Sequence, residues 1–232
     1  MKDIYSGENS EYFKLKKDWD VGDSPWKAKY AFDIINKNNI KPKSINEVGC
    51  GFGEVLLNMD KLYNDVTMNY NGYDIAIDAI NVAKKKEKSN VKFFLDNLAE
   101  KDVYSDVLLI IDVFEHVPDY LGFIEDCSRR AKYKVYHIPL DVHISAILRG
   151  KMIDARNEVG HLHYYTKETA LATLEDTEQK VIDYFYTSGN IKTPNKSLKM
   201  KIGNVARKVL FSIAPDFTVK LLGGYSLMVI TE

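Results

Sequence analysis

The stretch that decides the fold is residues 47–54, which read Glu47-Val48-Gly49-Cys50-Gly51-Phe52-Gly53-Glu54. A strand-like segment precedes it and a helix-like segment follows, so the glycines lie where a strand turns into a helix. Glycine at such a turn lets a ligand approach the main chain closely. The dinucleotide-binding fingerprint requires a glycine where Glu54 stands, and a carboxylate at a helix N-terminus repels a pyrophosphate. The loop therefore favours a cationic ligand over a dinucleotide.

On both sides of this loop, short apolar runs alternate with segments of helical period. The run at 106–112, DVLLIID, is almost wholly apolar, which is typical of a strand buried on both faces. Such alternation predicts a parallel, doubly wound α/β sheet. The predicted strands are residues 44–48, 69–73, 91–95, 106–112, 134–138, 180–187 and 225–231. The predicted helices are one that begins at Pro25 with Ser24 as N-cap, then 54–63, 76–88, 119–130 and 166–178.

The chain of 232 residues divides into four predicted regions. They are an N-terminal arm at 1–24, a core at 25–190, a basic lid or helical insertion at 191–222 and a closing strand of the core at 223–232. Lysine and arginine number 32 against 33 aspartate and glutamate, so the overall charge disfavours nucleic acid as a partner. Two cysteines form no disulfide framework and the N-terminus resembles no targeting peptide, so we expect a cytoplasmic protein.

Four elements, in order, resemble the motifs of class I S-adenosylmethionine (SAM)-dependent methyltransferases. They are the acidic-x-Gly-x-Gly-x-Gly loop, Asp74 after the second strand, Asp96-Asn97 after the third, and IIDVFEHVPD after the fourth. The resemblance implies SAM as cofactor and a Rossmann-like, doubly wound, mostly parallel seven-stranded sheet with an antiparallel last strand. The cofactor-binding residues that it implies are Glu47, Gly49, Cys50, Gly51 and Gly53 at the methionine end, Asp74 and Ile75 at the ribose, Asp96 and Asn97 at the adenine, and Asp112.

Each of these elements also has a purely structural explanation when it is taken alone. A glycine loop is a turn, Asp74 at a strand–helix junction is a helix cap, and Asp96-Asn97 is a turn signal. Four such elements in the same order and at fitting distances are not explained in this way. Together they favour SAM binding.

The five histidines fall between residues 116 and 163, where loops follow the fourth and fifth predicted strands. Ligands of open parallel sheets bind beyond the carboxyl ends of the strands, so these loops face the substrate. If a helical turn begins at Asp112, then Asp112, Glu115 and His116 share one face. This string resembles the acid-x-x-Glu-His metal site of ubiquinone-biosynthesis O-methyltransferases and of small-RNA 3′-terminal 2′-O-methyltransferases. In the RNA enzymes a further histidine completes the site, and His161 stands in the corresponding place.

The resemblance implies a divalent metal, Mg²⁺ or Mn²⁺, which would lower the pKa of an acceptor hydroxyl. Its ligands would be Asp112, Glu115, His116 and His161, although those families carry glutamate at the position of Asp112. Two alternatives stay open: His116, with Glu115 beside it, forms a metal-free catalytic pair, or the cluster is structural. His137 is expected to line the pocket. His143 and His163 are expected to be packing or surface residues.

Residues 191–220 hold seven basic residues and one acidic residue, Asp216. One interpretation of 191–222 is a lid or extra helix with a solvated face. Another is a lid over an acceptor that carries phosphates, and a third is an interfacial helix that contacts anionic lipid at the inner face of the membrane. The C-terminal sequence is similar to that of small bacterial methyltransferases associated with surface-polysaccharide biosynthesis, whose acceptors are often sugars on a diphosphate carrier.

The sequence therefore predicts a SAM-dependent O-methyltransferase that acts on a hydroxyl of a sugar or glycan precursor, either a small molecule or carrier-linked. A terminal-ribose RNA 2′-O-methyltransferase and a non-catalytic SAM-binding regulator are the alternatives. Methyltransferases that modify amino groups of nucleic acids usually carry an Asn/Asp-Pro-Pro-aromatic string after the fourth strand. IDVFEHVP lacks that string, so a nitrogen acceptor is disfavoured.

Overall fold

The computed structural model describes residues 22–188 and 198–232, and its strands form one seven-stranded sheet in the order β3-β2-β1-β4-β5-β7-β6. The strands β1 to β5 run parallel, and β7 is antiparallel to both of its neighbours, β5 and β6. This confirms the predicted doubly wound sheet with an antiparallel last strand. The strands are β1 (Ser44–Val48), β2 (Asn69–Asp74), β3 (Val91–Leu95), β4 (Ser105–Ile111), β5 (Ala131–Pro139), β6 (Val181–Thr187) and β7 (Ser226–Thr231).

One α-helix precedes β1 and the others lie between strands along the chain. Two short 3₁₀ turns, Leu98–Glu100 and Phe114–His116, follow β3 and β4. The α-helices are α1 (Ser24–Lys37), α2 (Glu54–Tyr63), α3 (Ile77–Lys84), α4 (Tyr120–Ser128), α5 (Ile144–Leu148), α6 (Lys151–Val159), α7 (Lys167–Asp176), α8 (Leu198–Ile213) and α9 (Pro215–Leu222). None of the helices in the described ranges is long and apolar enough to cross a bilayer.

Several predicted boundaries need correction; the strand predicted at 134–138, for example, is Ala131–Pro139, and the helix predicted at 119–130 is Tyr120–Ser128. Ser24 lies inside α1 and the N-cap is Asp23, whose carboxylate accepts a hydrogen bond from the Trp26 indole. The helix predicted at 76–88 ends at Lys84. Strand β4 ends one residue before Asp112, because Asp112 adopts a left-handed backbone with φ of 54°. A left-handed residue cannot continue a strand, so the chain turns at this point.

The core lies on both faces of the sheet. Along β4, Val107, Leu109 and Ile111 pack in one apolar cluster with α1 and α2, whereas Leu108 and Ile110 pack in the other with α4. Alternate residues of a strand point to opposite faces, so this near-continuous apolar run is buried on both. Because β1 and β4 are neighbours at the centre of the sheet, the strand order reverses there. Such a reversal opens a crevice at the carboxyl ends of the strands, which is where ligands bind in this architecture.

The four predicted regions stay predictions, because their boundaries fall partly on residues that are not described. The arm at 1–24 is described only from residue 22, and residues 189–197 of the core and the basic segment lie outside the described residues. Within the described part of that segment, α9 packs on the core: Val219 is buried in the second apolar cluster. Phe211 of α8 stacks on Tyr225 with ring centroids 4.6 Å apart.

Candidate functional site

The glycine loop joins β1 to α2, and at two of its glycines the backbone lies too close to neighbouring side chains to leave room for a Cβ atom. Gly49, Gly51 and Gly53 all have positive φ, between 52° and 77°. A Cβ at Gly49 would lie 2.7 Å from the Val113 side chain, and one at Gly53 would lie 2.3 Å from the Phe93 ring. Real Cβ atoms do not approach other atoms so closely. Glycine is therefore required at both positions, and the loop packs against β3 and against the segment that follows β4.

Glu47, at the end of β1, is buried and its Oε2 atom has no hydrogen-bond partner among the described residues. Burial and the nearby charge of Asp74 raise the pKa of this carboxyl well above its ordinary value, and the Lys27 ammonium opposes them. An unsatisfied buried acceptor is costly unless a ligand supplies a donor. The ammonium group of a SAM methionine moiety has the charge and the donors that this carboxylate lacks.

The remaining residues predicted to bind the cofactor are placed at the ends of β2 and β3. Asp74 accepts hydrogen bonds from the backbone N–H of Gly51 and of Ala76, both at 2.8 Å, so it ties the glycine loop to the start of α3. Ile75, next to it, is half exposed. Asp96 forms an ion pair with Lys101 at 2.7 Å. Asn97 accepts a hydrogen bond from the backbone N–H of Ala99 and donates one to Glu100.

A cavity of about 560 Å³ opens beside the glycine loop. Its walls come from α1, the ends of β1, β4 and β5, and the segments that contain α5, α8 and the start of β7. Most of the side chains on its walls are polar or charged. The residues that line it include Trp26, Lys27, Glu47, Gly49, Cys50, Gly51, Glu54, Asp112, Glu115, His116, His137, Asp141, His143, Ser145, Arg149, His161, Arg207 and Tyr225. Asp74, Ile75, Asp96 and Asn97 lie outside its described lining.

Asp112 belongs to a chain of polar contacts that we call the paired network: Lys27, Asp112, His137 and Thr187. Its carboxylate accepts from the Lys27 ammonium at 2.8 Å and from His137 Nδ1 at 2.6 Å. His137 Nε2 is hydrogen-bonded to the Thr187 hydroxyl at 2.8 Å. Burial alone would raise the pKa of Asp112, but the adjacent His137 and Lys27 outweigh it and hold that pKa well below its ordinary value. Asp112 is therefore an anion with two cationic or donating partners.

A second group, the Glu115 cluster, consists of Glu115 and His116, which closely follow Asp112 in the sequence, and of the distant His161. One potential ligand atom from each lies within 4.8 Å of the others. Glu115 is fully buried and neither of its carboxylate oxygens has a hydrogen-bond partner in the described structure. Burial, followed by the negative charge of Asp112, raises the pKa of Glu115 well above its ordinary value. The cluster is a buried acid without a donor, beside two imidazoles.

The orientation of the two imidazoles follows from their Nδ1 contacts. His116 Nδ1 lies 3.1 Å from the Gly160 carbonyl oxygen, and His161 Nδ1 lies 2.5 Å from the Asp141 carboxylate. Carbonyl and carboxylate oxygens accept, so each Nδ1 carries the hydrogen and each neutral ring has its basic lone pair on Nε2. In histidines that bind a metal or act as a base, a carboxylate often accepts the hydrogen of the ring nitrogen that faces away from the metal or substrate and so holds the ring in place; Asp141 does this for His161.

The structure brings together three of the four residues predicted as metal ligands. Asp112 is not part of that group, because the predicted helical turn does not form: the left-handed Asp112 precedes the 3₁₀ turn Phe114–His116 and points to α1 and β5. The predicted pocket role of His137 agrees with its place in the lining. His163 packs on Tyr120 and contacts the Val117 carbonyl oxygen, as expected of a packing residue, whereas His143 both caps α5 and lines the cavity.

Sequence reasoning missed several charged residues at the site. Lys27 stands on the apolar face of α1, near Ala31 and Ile34, and a lysine in such a stripe is a signal for a buried ion pair. Glu54 was identified from the sequence, but its partner Lys86, at 2.6 Å, was not, and this ion pair makes the repulsion of a phosphate by Glu54 weaker than its position alone suggests. No local pattern marks Asp141 or Arg149, and Arg207 was marked only as one of the seven basic residues of 191–220. They meet at the cavity only through the packing of distant segments.

Comparison with known proteins agrees with this geometry. A family model described as "Methyltransferase domain" matches residues 26–183. A ubiquinone biosynthesis O-methyltransferase of Nitrosomonas europaea is 32% identical over 116 residues, which are 47% of this chain and 47% of that protein. One of the same name from Glaesserella parasuis is 28% identical over 152 residues, 57% of this chain and 62% of that protein. The chain thus aligns with about half to three fifths of the length of these curated relatives.

Solved structures share the fold at low sequence identity. A magnesium protoporphyrin IX methyltransferase from Synechocystis with bound SAM superposes with a TM-score of 0.58 at 14% identity. That superposition covers 99% of this chain and 88% of the other. At this identity the likeness concerns the arrangement of strands and helices.

Proposed function

The chain belongs to the SAM-dependent methyltransferases, and from this premise we propose that it transfers the methyl group of SAM to a hydroxyl of a sugar or glycan precursor. The acceptor is either a small molecule or a sugar linked to a carrier. The observation that carries the proposal is the Glu115 cluster: a buried acid without a donor and two imidazoles on the wall of the cavity that begins at the glycine loop.

The residues at the glycine loop fit SAM. SAM supplies an electrophilic methyl group on a sulfonium, so the protein needs chiefly to orient the acceptor and to remove its proton. We assign the SAM ammonium to Glu47, whose Oε2 atom lacks a donor. Gly49, Gly51 and Gly53 leave room for the methionine moiety. Asp74 and Ile75 are assigned to the ribose, and Asp96 with Asn97 to the adenine.

His116 is assigned the role of general base. Its Nδ1 hydrogen is directed to Gly160, which places the basic lone pair on Nε2, the atom that lies 4.0 Å from Glu115 Oε1. An acceptor hydroxyl that enters the cavity would lose its proton to Nε2 as its oxygen attacks the methyl group. Positioned bases of this kind contribute about 10²–10⁴-fold in rate. The neighbouring Glu115 carboxylate would stabilise the imidazolium that results.

The same three residues also fit a divalent metal. A carboxylate oxygen and one ring nitrogen from each of two imidazoles, all within 4.8 Å of one another, are a mixed oxygen–nitrogen ligand set, and His161 is held by Asp141 through Nδ1. Glu115, His116 and His161 would hold the ion, with Asp112 outside the set. A bound Mg²⁺ or Mn²⁺ lowers the pKa of a hydroxyl that it binds.

The walls of the cavity support a polar acceptor. Most of its lining side chains are charged or polar, which suits a molecule with several hydroxyls better than an apolar ring system. The curated relatives are named for ubiquinone biosynthesis and the Synechocystis enzyme for a magnesium porphyrin. Those names describe other proteins, and the acceptor proposed for this chain is inferred from the side chains of its own cavity.

The first experiment is a calorimetric titration of Mn²⁺ into chelator-stripped protein saturated with S-adenosylhomocysteine, the product of SAM. His161→Ala removes one proposed ligand, and His163→Ala is the matched control, since His163 contacts Tyr120 and Val117 outside the cluster. One-site binding that is lost in His161→Ala and kept in His163→Ala supports the metal-assisted form. Absence of binding in the wild type assigns deprotonation to His116 alone.

The second experiment tests the acceptor. Release of S-adenosylhomocysteine is measured with nucleotide sugars, free sugars, catechols and short RNA as acceptors. The proposal expects turnover with a sugar class and none in His116→Ala. Turnover confined to catechols or to RNA contradicts the sugar assignment, although it would leave the methyltransferase family membership intact.

A further inference from the structure

The wall of the cavity that comes from α5, α8 and the start of β7 carries a group of hydrogen-bond donors. We call it the basic wall and define it as His143, Arg149, Arg207 and Tyr225, all of which line the cavity. Arg149 is the C-cap of α5, and Arg207 lies in α8. Arg207 and Tyr225 lie beyond residues 26–183, the part that matches the family model. Half of this wall is therefore built from segments outside the matched domain.

Three members of the basic wall, His143, Arg207 and Tyr225, are in close contact with neighbouring segments, and Arg149 is exposed. Phe211, one helical turn after Arg207, stacks on Tyr225 with an interplanar angle of 12°. A Cβ at Gly223 would lie 2.1 Å from the His143 ring, and one at Gly224 would lie 3.5 Å from the Arg207 guanidinium carbon. Glycine at position 223 thus lets the imidazole approach the backbone that leads into β7, and the Arg207 guanidinium lies within ordinary contact distance of position 224. The Ser145 hydroxyl adds a hydrogen bond from α5 to the Leu222 carbonyl oxygen at 3.2 Å.

Three acids of the cavity have basic partners outside the basic wall. Asp112 is paired with Lys27 and His137, Asp141 with His161, and Glu54 with Lys86. Arg149 forms no ion pair with any acidic residue of the described chain. The Tyr225 hydroxyl is buried and has no hydrogen-bond partner there either. Burial, reinforced by the positive charges of Arg149 and Arg207, lowers the pKa of His143 against the opposing charge of Asp141.

From these observations we propose that the basic wall is an anion subsite, which binds a phosphate or carboxylate group of the acceptor between Arg149 and Arg207. Planar guanidinium groups bind both kinds of anion through paired N–H donors, and the Tyr225 hydroxyl adds a third donor. The glycine loop and the Glu115 cluster lie on other walls of the same cavity. An acceptor held by its anion would span the cavity and present a hydroxyl to His116. Only the identity of that acceptor rests on the proposed function.

The test measures anion binding without turnover. Inorganic pyrophosphate and, separately, glucuronate are titrated by calorimetry into protein saturated with S-adenosylhomocysteine, which occupies the glycine loop. The variants are Arg149→Gln/Arg207→Gln and the matched control Lys208→Gln, which removes a neighbouring exposed cation of α8 that does not line the cavity. The affinity for S-adenosylhomocysteine is measured in every variant to confirm that the fold and cofactor site are intact.

We expect at least one of the two anions to bind the wild type and Lys208→Gln equally, and the double variant at least tenfold more weakly. Binding should also weaken with added salt. A preference for pyrophosphate indicates a phosphate-bearing acceptor, and one for glucuronate an acidic sugar; both support the subsite. Absence of binding by both anions, or equal binding by the double variant, overturns it. Neither result depends on whether a sugar is methylated, so the two proposals fail separately.

Discussion

Two groups of polar residues lie on one cavity, and their acidic members are only three residues apart in the sequence. In the paired network, Asp112 is in contact with a lysine and a histidine, and the histidine in turn with a threonine. In the Glu115 cluster, Glu115 is fully buried and both of its oxygens lack hydrogen-bond partners in the described structure. Their pKa values accordingly move in opposite directions from the ordinary value of a carboxyl.

The difference shows how a protein can use some buried carboxylates to stabilise the fold and others for catalysis or ligand binding. A buried carboxylate with matched partners holds segments together, and in the paired network it joins α1, the turn after β4, β5 and β6. A buried carboxylate without partners lowers stability and is retained where a ligand or a proton completes it. Buried polar groups that lack hydrogen-bond partners are expected at functional sites. We therefore expect substitutions in the two groups to separate stability from activity.

The largest expected effect is on activity. His116→Ala removes the proposed base and should lower methyl transfer by at least about 10²-fold, with S-adenosylhomocysteine affinity unchanged. Transfer is measured by product release and affinity by calorimetry, with His163→Ala as the control that keeps its activity. Loss of cofactor affinity in His116→Ala would show that the Glu115 cluster supports the fold, and the proposed difference between this cluster and the paired network would be wrong.

The next effect is on stability, in the paired network. Asp112→Asn leaves the Lys27 ammonium and His137 without an anion, and because the Asp112 side chain is 24% exposed we expect a loss of about 2 kcal/mol at neutral pH, below that for a fully buried pair. The folded-state pKa of Asp112 is lowered, so its stabilisation is complete above the unfolded pKa of about 3.9. It is lost as the pH falls through the folded value. Urea denaturation at several pH values should show the deficit shrinking in acid. A deficit independent of pH would contradict this assignment.

Glu115→Gln should act in the opposite direction. The folded-state pKa of Glu115 is raised, so the wild type loses stability as the pH rises from the unfolded pKa of about 4.3 through the folded value. The variant has no such loss and should be more stable than the wild type by about 1 kcal/mol at neutral pH, while its methyl transfer falls. Below the unfolded value the two proteins should be equally stable. If Glu115→Gln is less stable than the wild type at neutral pH, the Glu115 carboxylate stabilises the fold as Asp112 does, and the proposed contrast is wrong.

The smallest expected effect tests whether the paired network extends to Thr187. Thr187→Val keeps the shape of a side chain that is 1% exposed but removes the hydroxyl bonded to His137 Nε2. We expect a loss of about 1 kcal/mol in the free energy of unfolding, with activity little changed. Thr177→Val is a comparison at another buried threonine, whose hydroxyl bonds only the last turn of α7 and Gln179. Equal activity loss in Thr187→Val and His116→Ala would mean that the network takes part in the chemistry.

Much of the fold could be predicted because it is encoded in local patterns. The predicted bounds of β1, α2 and β3 agree with the structure at both ends, since each is a short apolar or amphipathic run bounded by turn residues. Site residues were predicted from local patterns where they are close in sequence, as for the glycine loop and the Glu115-His116 pair, whereas His161 was predicted from a family resemblance. The partners of Asp112 were not predictable, because Lys27, His137 and Thr187 reach it through the pairing and packing of separate elements.

Trp26 gives the site a spectroscopic reporter. Its indole lies on the cavity wall and packs edge-on against His137, with ring centroids 5.6 Å apart. The sequence holds one other tryptophan, Trp19, which is outside the described residues. In a Trp19→Phe background, all tryptophan emission would come from the edge of the cavity. Ligand entry, anion binding and rearrangement of the paired network would then be observable in real time as fluorescence changes, without an attached dye.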